Sequence, residues 1–158
     1  MFVRAVAEID ASFREVEDGL LRDPAEWVPG LAAGADDRGE RLLAEVGFGG
    51  TAFRMDKRVE VRLSEPVRFP AKVVLPLSWR ATGAPGLFPA LDGDLELAPL
   101  GPARTQLSLS ANYRPPLGKL GGVADRALLH RVAEGTVRDF VDRVAEGLLR
   151  RVSVSSEV

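Results

Sequence analysis

The chain has 158 residues, which is enough for one domain with a substantial core and too few for two ordinary domains. Hydrophobic residues make up 46% and charged residues 28%, a balance typical of a globular chain rather than a disordered one. A net charge of −2 removes the attraction that nucleic-acid binding requires, the absence of cysteine excludes disulfides and thiolate chemistry, and one histidine excludes a site with two imidazoles.

The N-terminal segment predicts one strand followed by two short helices. Residues 2–9 alternate between the two sides of a half-buried strand. Ser12 followed by Glu15 has the spacing of a capping box, in which each side chain binds a free amide of the first helical turn. Asp23 begins a similar pattern and predicts a second helix, which we expect Trp27 to anchor onto a sheet.

The middle of the chain is predicted to form a series of strands. After a polar loop predicted at residues 34–39, residues 41–113 alternate with a period of two and are interrupted by turn residues. One apolar and one polar side along each strand indicate an antiparallel sheet that is solvated on one face. Pro66, Pro70 and Pro76 cannot donate to a central ladder, so we expect these prolines at sheet edges or bulges.

The last part of the chain changes to a helical period. Between residues 123 and 151, apolar side chains recur at steps of three and four, which predicts one amphipathic helix about 43 Å long. Its wide apolar side, interrupted by Gly135, favours a helix lying across a concave sheet over a coiled coil. We therefore predict a single domain over residues 1–152 and a flexible tail over residues 153–158.

Three segments resemble parts of a known fold family, and one of them, residues 87–109, resembles its paired hairpin strands. Residues 110–149 resemble the closing strand, turn and final helix of actinobacterial START-like proteins of the SRPBCC superfamily, which includes polyketide cyclases and dehydrases and lipid-transfer domains. Residues 27–30 resemble that superfamily's helix-to-strand corner. The resemblance implies an α+β helix-grip fold, in which a curved antiparallel sheet, two short helices and one long C-terminal helix enclose a hydrophobic cavity. The matching C-terminal positions are Tyr113, Pro115, Pro116, Gly118, Gly121, Asp125, Leu128 and Leu129.

In such a fold the apolar sheet face and the long helix form the wall of a pocket. A wall of this composition suits a small hydrophobic or aromatic ligand that is oriented by few polar groups. The alternative is that the same side chains fill a solid core. The predicted wall residues are Phe53, Val59, Val61, Leu75, Leu77, Trp79, Leu95, Leu107, Leu109 and Tyr113 from the sheet, with Phe140, Val144 and Leu148 from the helix.

Three polar residues are candidates for binding or chemistry. Lys57 has inward parity and can meet a ligand carboxylate or act as a desolvated acid–base group, unless it extends to water or a bulge shifts its parity. Tyr113 can donate its hydroxyl to a ligand carbonyl, as a cyclase polarises a ketone, or it can simply pack. His130 is a weaker candidate, because a lone histidine at a helix start is more often a surface residue. The sequence contains no assembled catalytic set and no metal-ligand constellation, so no cofactor is expected and the question of enzyme activity stays open.

These observations favour a module that binds a small hydrophobic or aromatic molecule. A polyketide cyclase/dehydrase-type enzyme acting on a poly-ketone or aromatic substrate is the alternative, and a protein-partner module ranks third. Nothing in the sequence resembles a targeting segment or a membrane span, so we expect a cytoplasmic protein. We also expect a monomer or homodimer without nucleic-acid partners.

Overall fold

A computed structural model describes residues 1–22, 27, 32–36, 39–50, 53–81, 90–114 and 126–157. For residues 32–36, 39–50, 53–59, 81, 126, 128, 129 and 132 it describes the backbone alone. The elements are β1 (Phe2–Ile9), α1 (Phe13–Leu21), β2 (Ala32–Asp36), β3 (Gly39–Gly50), β4 (Phe53–Leu63), β5 (Val67–Phe69), β6 (Lys72–Ala81), β7 (Ala90–Pro99), β8 (Thr105–Arg114) and α2 (Arg126–Ser156).

The strands form one antiparallel sheet in the order β1-β8-β7-β6-β4-β3-β2, and β5 pairs separately with β6. The sheet, a short helix and the long C-terminal helix confirm the predicted α+β helix-grip architecture. The predicted loop at residues 34–39 is wrong at both ends. Residues 34–36 belong to β2 and Gly39 begins β3, where it lies opposite Asp36, while residues 37 and 38 lie outside the described residues.

Pro76 lies where the neighbour of β6 changes from β4 to β5. Leu77 of β6 lies opposite the last residue of β4, whereas Val74 lies opposite the first residue of β5. Between these pairings, the Pro76 carbonyl accepts a hydrogen bond from the Ser64 amide at 2.9 Å. The N–H that proline lacks therefore falls at a break between two partner strands, as the expectation of a bulge or edge position implies.

The first helix begins as predicted. The Glu15 amide donates to Ser12 Oγ at 3.4 Å and the Ser12 amide donates to Glu15 Oε2 at 3.0 Å, which confirms the capping box. Hydrogen bonds from the Ser12 side chain and backbone hold the pKa of Glu15 below its usual range. The predicted second helix lies outside the described residues except for Trp27.

Trp27 is buried and connects the two described helices. Its Nε1 donates to the Leu20 carbonyl of α1 at 3.0 Å. Its backbone lies against Gly147 of α2, where an added Cβ would come within 2.9 Å of the Trp27 carbonyl oxygen. These contacts anchor Trp27 to the two helices, whereas the sequence predicts an anchor on the sheet.

The long helix α2 has 31 residues and packs its buried side against the inner face of the sheet. It begins at Arg126 and ends at Ser156, so it includes most of the segment expected to be a tail. Neither helix of the described chain is both long and apolar enough to cross a membrane. Among the α2 residues whose side chains are described, the buried ones are Ala133, Thr136, Val137, Phe140, Val141, Val144, Ala145, Gly147, Leu148 and Val152.

Candidate ligand-binding site

The predicted pocket wall coincides with the interior between the sheet and α2. Every predicted wall residue with a described side chain is buried. These residues are Val61, Leu75, Leu77, Trp79, Leu95, Leu107, Leu109, Tyr113, Phe140, Val144 and Leu148. The backbones of Phe53, Lys57 and Val59 lie in β4, but their side chains are outside the described part of the structure.

One row of side chains crosses the inner face of the sheet and contains both of its polar aromatic residues. Val61 of β4 lies opposite Trp79 of β6, Trp79 lies opposite Leu91 of β7, and Leu91 lies opposite Tyr113 of β8. Trp79 and Tyr113 are therefore two strands apart, with Cα atoms about 10 Å from each other. We call Trp79, Leu91 and Tyr113 the aromatic row.

Trp79 presents a buried donor without a partner. Its side chain is 0% exposed, and its ring centroid lies 5.0 Å from that of Phe140 on α2, with the ring planes at 59°. No hydrogen-bond acceptor among the described residues reaches Trp79 Nε1. Leaving such a buried donor unpaired costs about 1–3 kcal/mol, so native structures rarely retain one without a reason.

Tyr113 presents a second buried polar atom of this kind. Its backbone amide donates to the Met1 carbonyl at 2.7 Å, which fixes the end of β8 beside β1. Its hydroxyl is buried and makes no hydrogen bond to a described residue. Burial raises the pKa of Tyr113 to about 12, and the interaction with the Thr136 side chain offsets part of that rise. At neutral pH this hydroxyl is therefore protonated and able to donate.

The surroundings of the aromatic row are otherwise apolar. Among the described side chains, the buried polar residues are Thr105, Ser108 and Thr136, and none of the buried residues carries a charge. Thr105 Oγ1 donates to the Ala11 carbonyl at 2.9 Å, which is a structural contact. Two neutral donors in an apolar interior can orient a ligand, but they do not form an acid–base pair.

The three candidate polar residues are not brought together by the described structure. His130 lies on the exposed side of α2, where its Nε2 is 3.1 Å from Glu134 Oε1. The backbone of Lys57 is four residues along β4 from Val61, about 13 Å from the aromatic row. Tyr113 is thus the one member of the set that the described side chains place in the interior.

Sequence reasoning missed Leu91 and Thr136 as members of this site. The period-two pattern placed Leu91 on the inner face, and the helical pattern placed Thr136 on the apolar side of α2. Neither pattern shows which strand lies beside β7 or which strand faces each turn of α2. The sequence therefore could not indicate that Leu91 and Thr136 lie close to Tyr113.

Two surface cavities are also lined by described residues, but they are weaker candidates for a ligand site. One, of about 510 Å³, lies on the outer sheet face among Ser78, Asp92, Asp94 and other polar side chains. Its Asp92 already pairs with Arg80 at 3.0 Å. Another, of about 230 Å³, lies between α1 and the end of α2. Within the described chain no cluster of three or more metal-ligating side chains was found.

Tyr113 is the single tyrosine of the chain, which makes its titration directly measurable. Its pKa is about 12 in the folded protein and about 10 in an unfolded chain. Raising the pH from about 10 to about 12 ionises the unfolded chain first and should therefore lower the free energy of unfolding by about 2 kcal/mol. Tyrosinate absorbance in buffer and in concentrated urea measures both pKa values. A folded-state pKa near 10 would show that the hydroxyl is solvated.

Comparison with known proteins supports the fold. No protein-family model matches the sequence, and no curated protein matches it. Among solved structures, the chain is similar to a conserved protein from Geobacillus kaustophilus, with 14% identity, a TM-score of 0.59, and coverage of 96% of this chain and 95% of that one. It is also similar to a START superfamily protein from Mycobacterium smegmatis, with 18% identity, a TM-score of 0.52, and 98% of each chain covered.

A third similar structure is the di-domain ARO/CYC protein BexL from the BE-7585A biosynthetic pathway. The identity is 17% and the TM-score is 0.50, and the match covers 99% of this chain but 46% of that one. At these identities the likeness concerns the fold. The chain therefore has the START-like helix-grip fold that its C-terminal segment resembles.

Proposed function

We propose that this protein binds a small hydrophobic or aromatic molecule between the inner sheet face and α2. The observation that carries the proposal is the pair of buried, unpartnered polar atoms, Trp79 Nε1 and Tyr113 Oη, within an apolar interior. A ligand that accepts hydrogen bonds from them would remove the cost of leaving two buried donors unpaired. The START-like helix-grip fold is also consistent with the binding of a hydrophobic ligand.

The geometry supports an aromatic ligand in particular. Trp79 and Phe140 form a tilted pair across the sheet–helix interior, with ring centroids 5.0 Å apart. A flat ring system inserted beside them gains offset or edge-to-face contacts in addition to apolar burial. Trp79, Leu91 and Tyr113 are fully buried among the described residues, so a ligand placed beside them requires neighbouring side chains to move.

An enzyme of the polyketide cyclase type is a second candidate. One observation favours it, namely that the buried Tyr113 hydroxyl makes no hydrogen bond to a described residue and is free to donate to a ketone carbonyl. A solved ARO/CYC protein shares the fold. Turnover of poly-β-ketone mimics that is lost in Tyr113→Phe and Lys57→Ala would support this candidate, whereas binding without turnover leaves the carrier function.

The binding proposal is tested by native mass spectrometry of gently purified protein, followed by titration with a neutral fluorescent hydrophobe, N-phenyl-1-naphthylamine. We expect a bound apolar compound or, in the ligand-free protein, saturable binding at one site. The chain has two tryptophans, so Trp27→Phe leaves Trp79 as the reporter and Trp79→Phe leaves Trp27. Ligand should quench Trp79 strongly and Trp27 weakly. The proposal is overturned if no compound is bound and no saturable binding occurs.

A further inference from the structure

Trp79 Nε1 and Tyr113 Oη, the two unpartnered atoms of the aromatic row, indicate which polar group the ligand carries in addition to its apolar surface. We infer that the ligand presents a neutral carbonyl oxygen to Trp79 Nε1 and Tyr113 Oη, so that the site selects ketones or similar neutral carbonyl compounds over hydrocarbons and carboxylates. This inference rests on the proposed function, because it concerns the same interior.

The ligand must supply an acceptor because both protein groups donate. An indole N–H can only donate. The Tyr113 hydroxyl is buried in its protonated form and makes no hydrogen bond to a described residue, so it also has a proton to give. A pure hydrocarbon in this position would leave both donors unpaired, whereas a carbonyl oxygen has two lone pairs to accept from them.

The acceptor is expected to be neutral because the described buried side chains offer no charge to compensate an anion. An ionised carboxylate is far more costly to bury than a carbonyl group unless a cation pairs with it. None of the buried residues with described side chains is charged. Arg143 of α2 is partly buried, and its Nη1 makes no hydrogen bond among the described residues, but this atom lies 3.8 Å from Asp139 Oδ2, so the charge of Arg143 is compensated by an ion pair. The backbone of Lys57 lies about 13 Å along β4 from the row.

Three naphthalenes of nearly equal size test the inference: 2-acetylnaphthalene, 2-ethylnaphthalene and 2-naphthoate. Equilibrium titration of the full chain at neutral pH gives a Kd for each. We expect the ketone to bind about tenfold more tightly than the ethyl compound, the gain of one or two hydrogen bonds, and the carboxylate to bind most weakly.

Tyr113→Phe is the matched variant, since it removes the hydroxyl and keeps the ring. It should reduce the ketone's advantage over 2-ethylnaphthalene by about fivefold, while binding of the ethyl compound stays the same or improves. Its denaturation midpoint in urea without ligand should equal or exceed that of the parent, because an unpaired buried group has been removed. Ser110→Ala on the outer face is the control and should change none of the three Kd values.

The outcomes separate this inference from the proposed function. If none of the three compounds binds, the proposed function fails together with the inference. If the ethyl compound binds as tightly as the ketone, the binding function stands and the inference is overturned. If 2-naphthoate binds most tightly and loses this affinity in Lys57→Ala or Arg143→Ala, recognition depends on a cation, and the neutral-carbonyl inference is again overturned.

Discussion

Gly93→Ala is expected to lower the free energy of unfolding by about 3 kcal/mol. Gly93 lies in the middle of β7, opposite Leu77 of β6 and Ala111 of β8. A Cβ at this position would stand 2.6 Å from the Ala111 Cβ and 2.7 Å from the Ser110 carbonyl oxygen. The carbonyl is backbone and cannot rotate away, so β7 and β8 would have to separate. Urea denaturation, which gives the free energy of unfolding by extrapolation, measures the loss.

A double-mutant cycle identifies the cause of this loss. Ala111→Gly combined with Gly93→Ala removes the 2.6 Å contact but keeps the 2.7 Å contact with Ser110, so the pair should recover part of the stability. Asp94→Ala changes an exposed neighbour on the same strand and should stay within about 0.5 kcal/mol of the parent. A loss of similar size in Asp94→Ala, or no recovery in the double variant, would contradict the steric explanation.

The same close approach bears on the candidate site. Gly93 is two residues from Leu91, which lies between Trp79 and Tyr113 in the aromatic row. Widening the β7–β8 spacing at Gly93 therefore changes the distance between the two donors.

Side-chain orientation on the sheet could be predicted from sequence because alternation is a property of the extended backbone itself. Leu75, Leu95 and Leu109 are buried as the pattern required. The same holds for α2, whose apolar period placed Phe140 and Val144 on the buried side. The capping box was predictable for a related reason, since its two partners are three residues apart and need no tertiary contact.

Strand register and contacts between distant elements could not be predicted from these periodic patterns. The register that sets Trp79 beside Leu91 and Tyr113 results from strand pairing across loops, and the sequence contains no direct measure of it. The absence of a partner for Trp79 Nε1 is equally invisible in a linear pattern. The contact of Trp27 with Gly147 joins residues 120 positions apart, which explains why the sheet was the expected anchor.

Gly147→Ala is expected to destabilise the protein by about 2 kcal/mol although alanine is the better helix former. Helix propensity alone would favour alanine by about 1 kcal/mol. The added Cβ, however, would lie 2.9 Å from the Trp27 carbonyl oxygen and 3.1 Å from its Cα, and both atoms are backbone. The crowding cost of about 3 kcal/mol outweighs the propensity gain.

Gly135→Ala in the same helix is the matched control, since Gly135 is exposed and propensity should decide its sign. We expect it to stabilise the protein by about 0.5–1 kcal/mol, opposite in sign to Gly147→Ala. In a Trp79→Phe background, Trp27 is the sole emitter, and its fluorescence should shift to the red when Gly147→Ala displaces it from the cleft between α1 and α2. Stabilisation by both alanine variants would show that Trp27 does not rest against Gly147. Destabilisation by both, without a change in Trp27 emission, would point to a strained α2 instead.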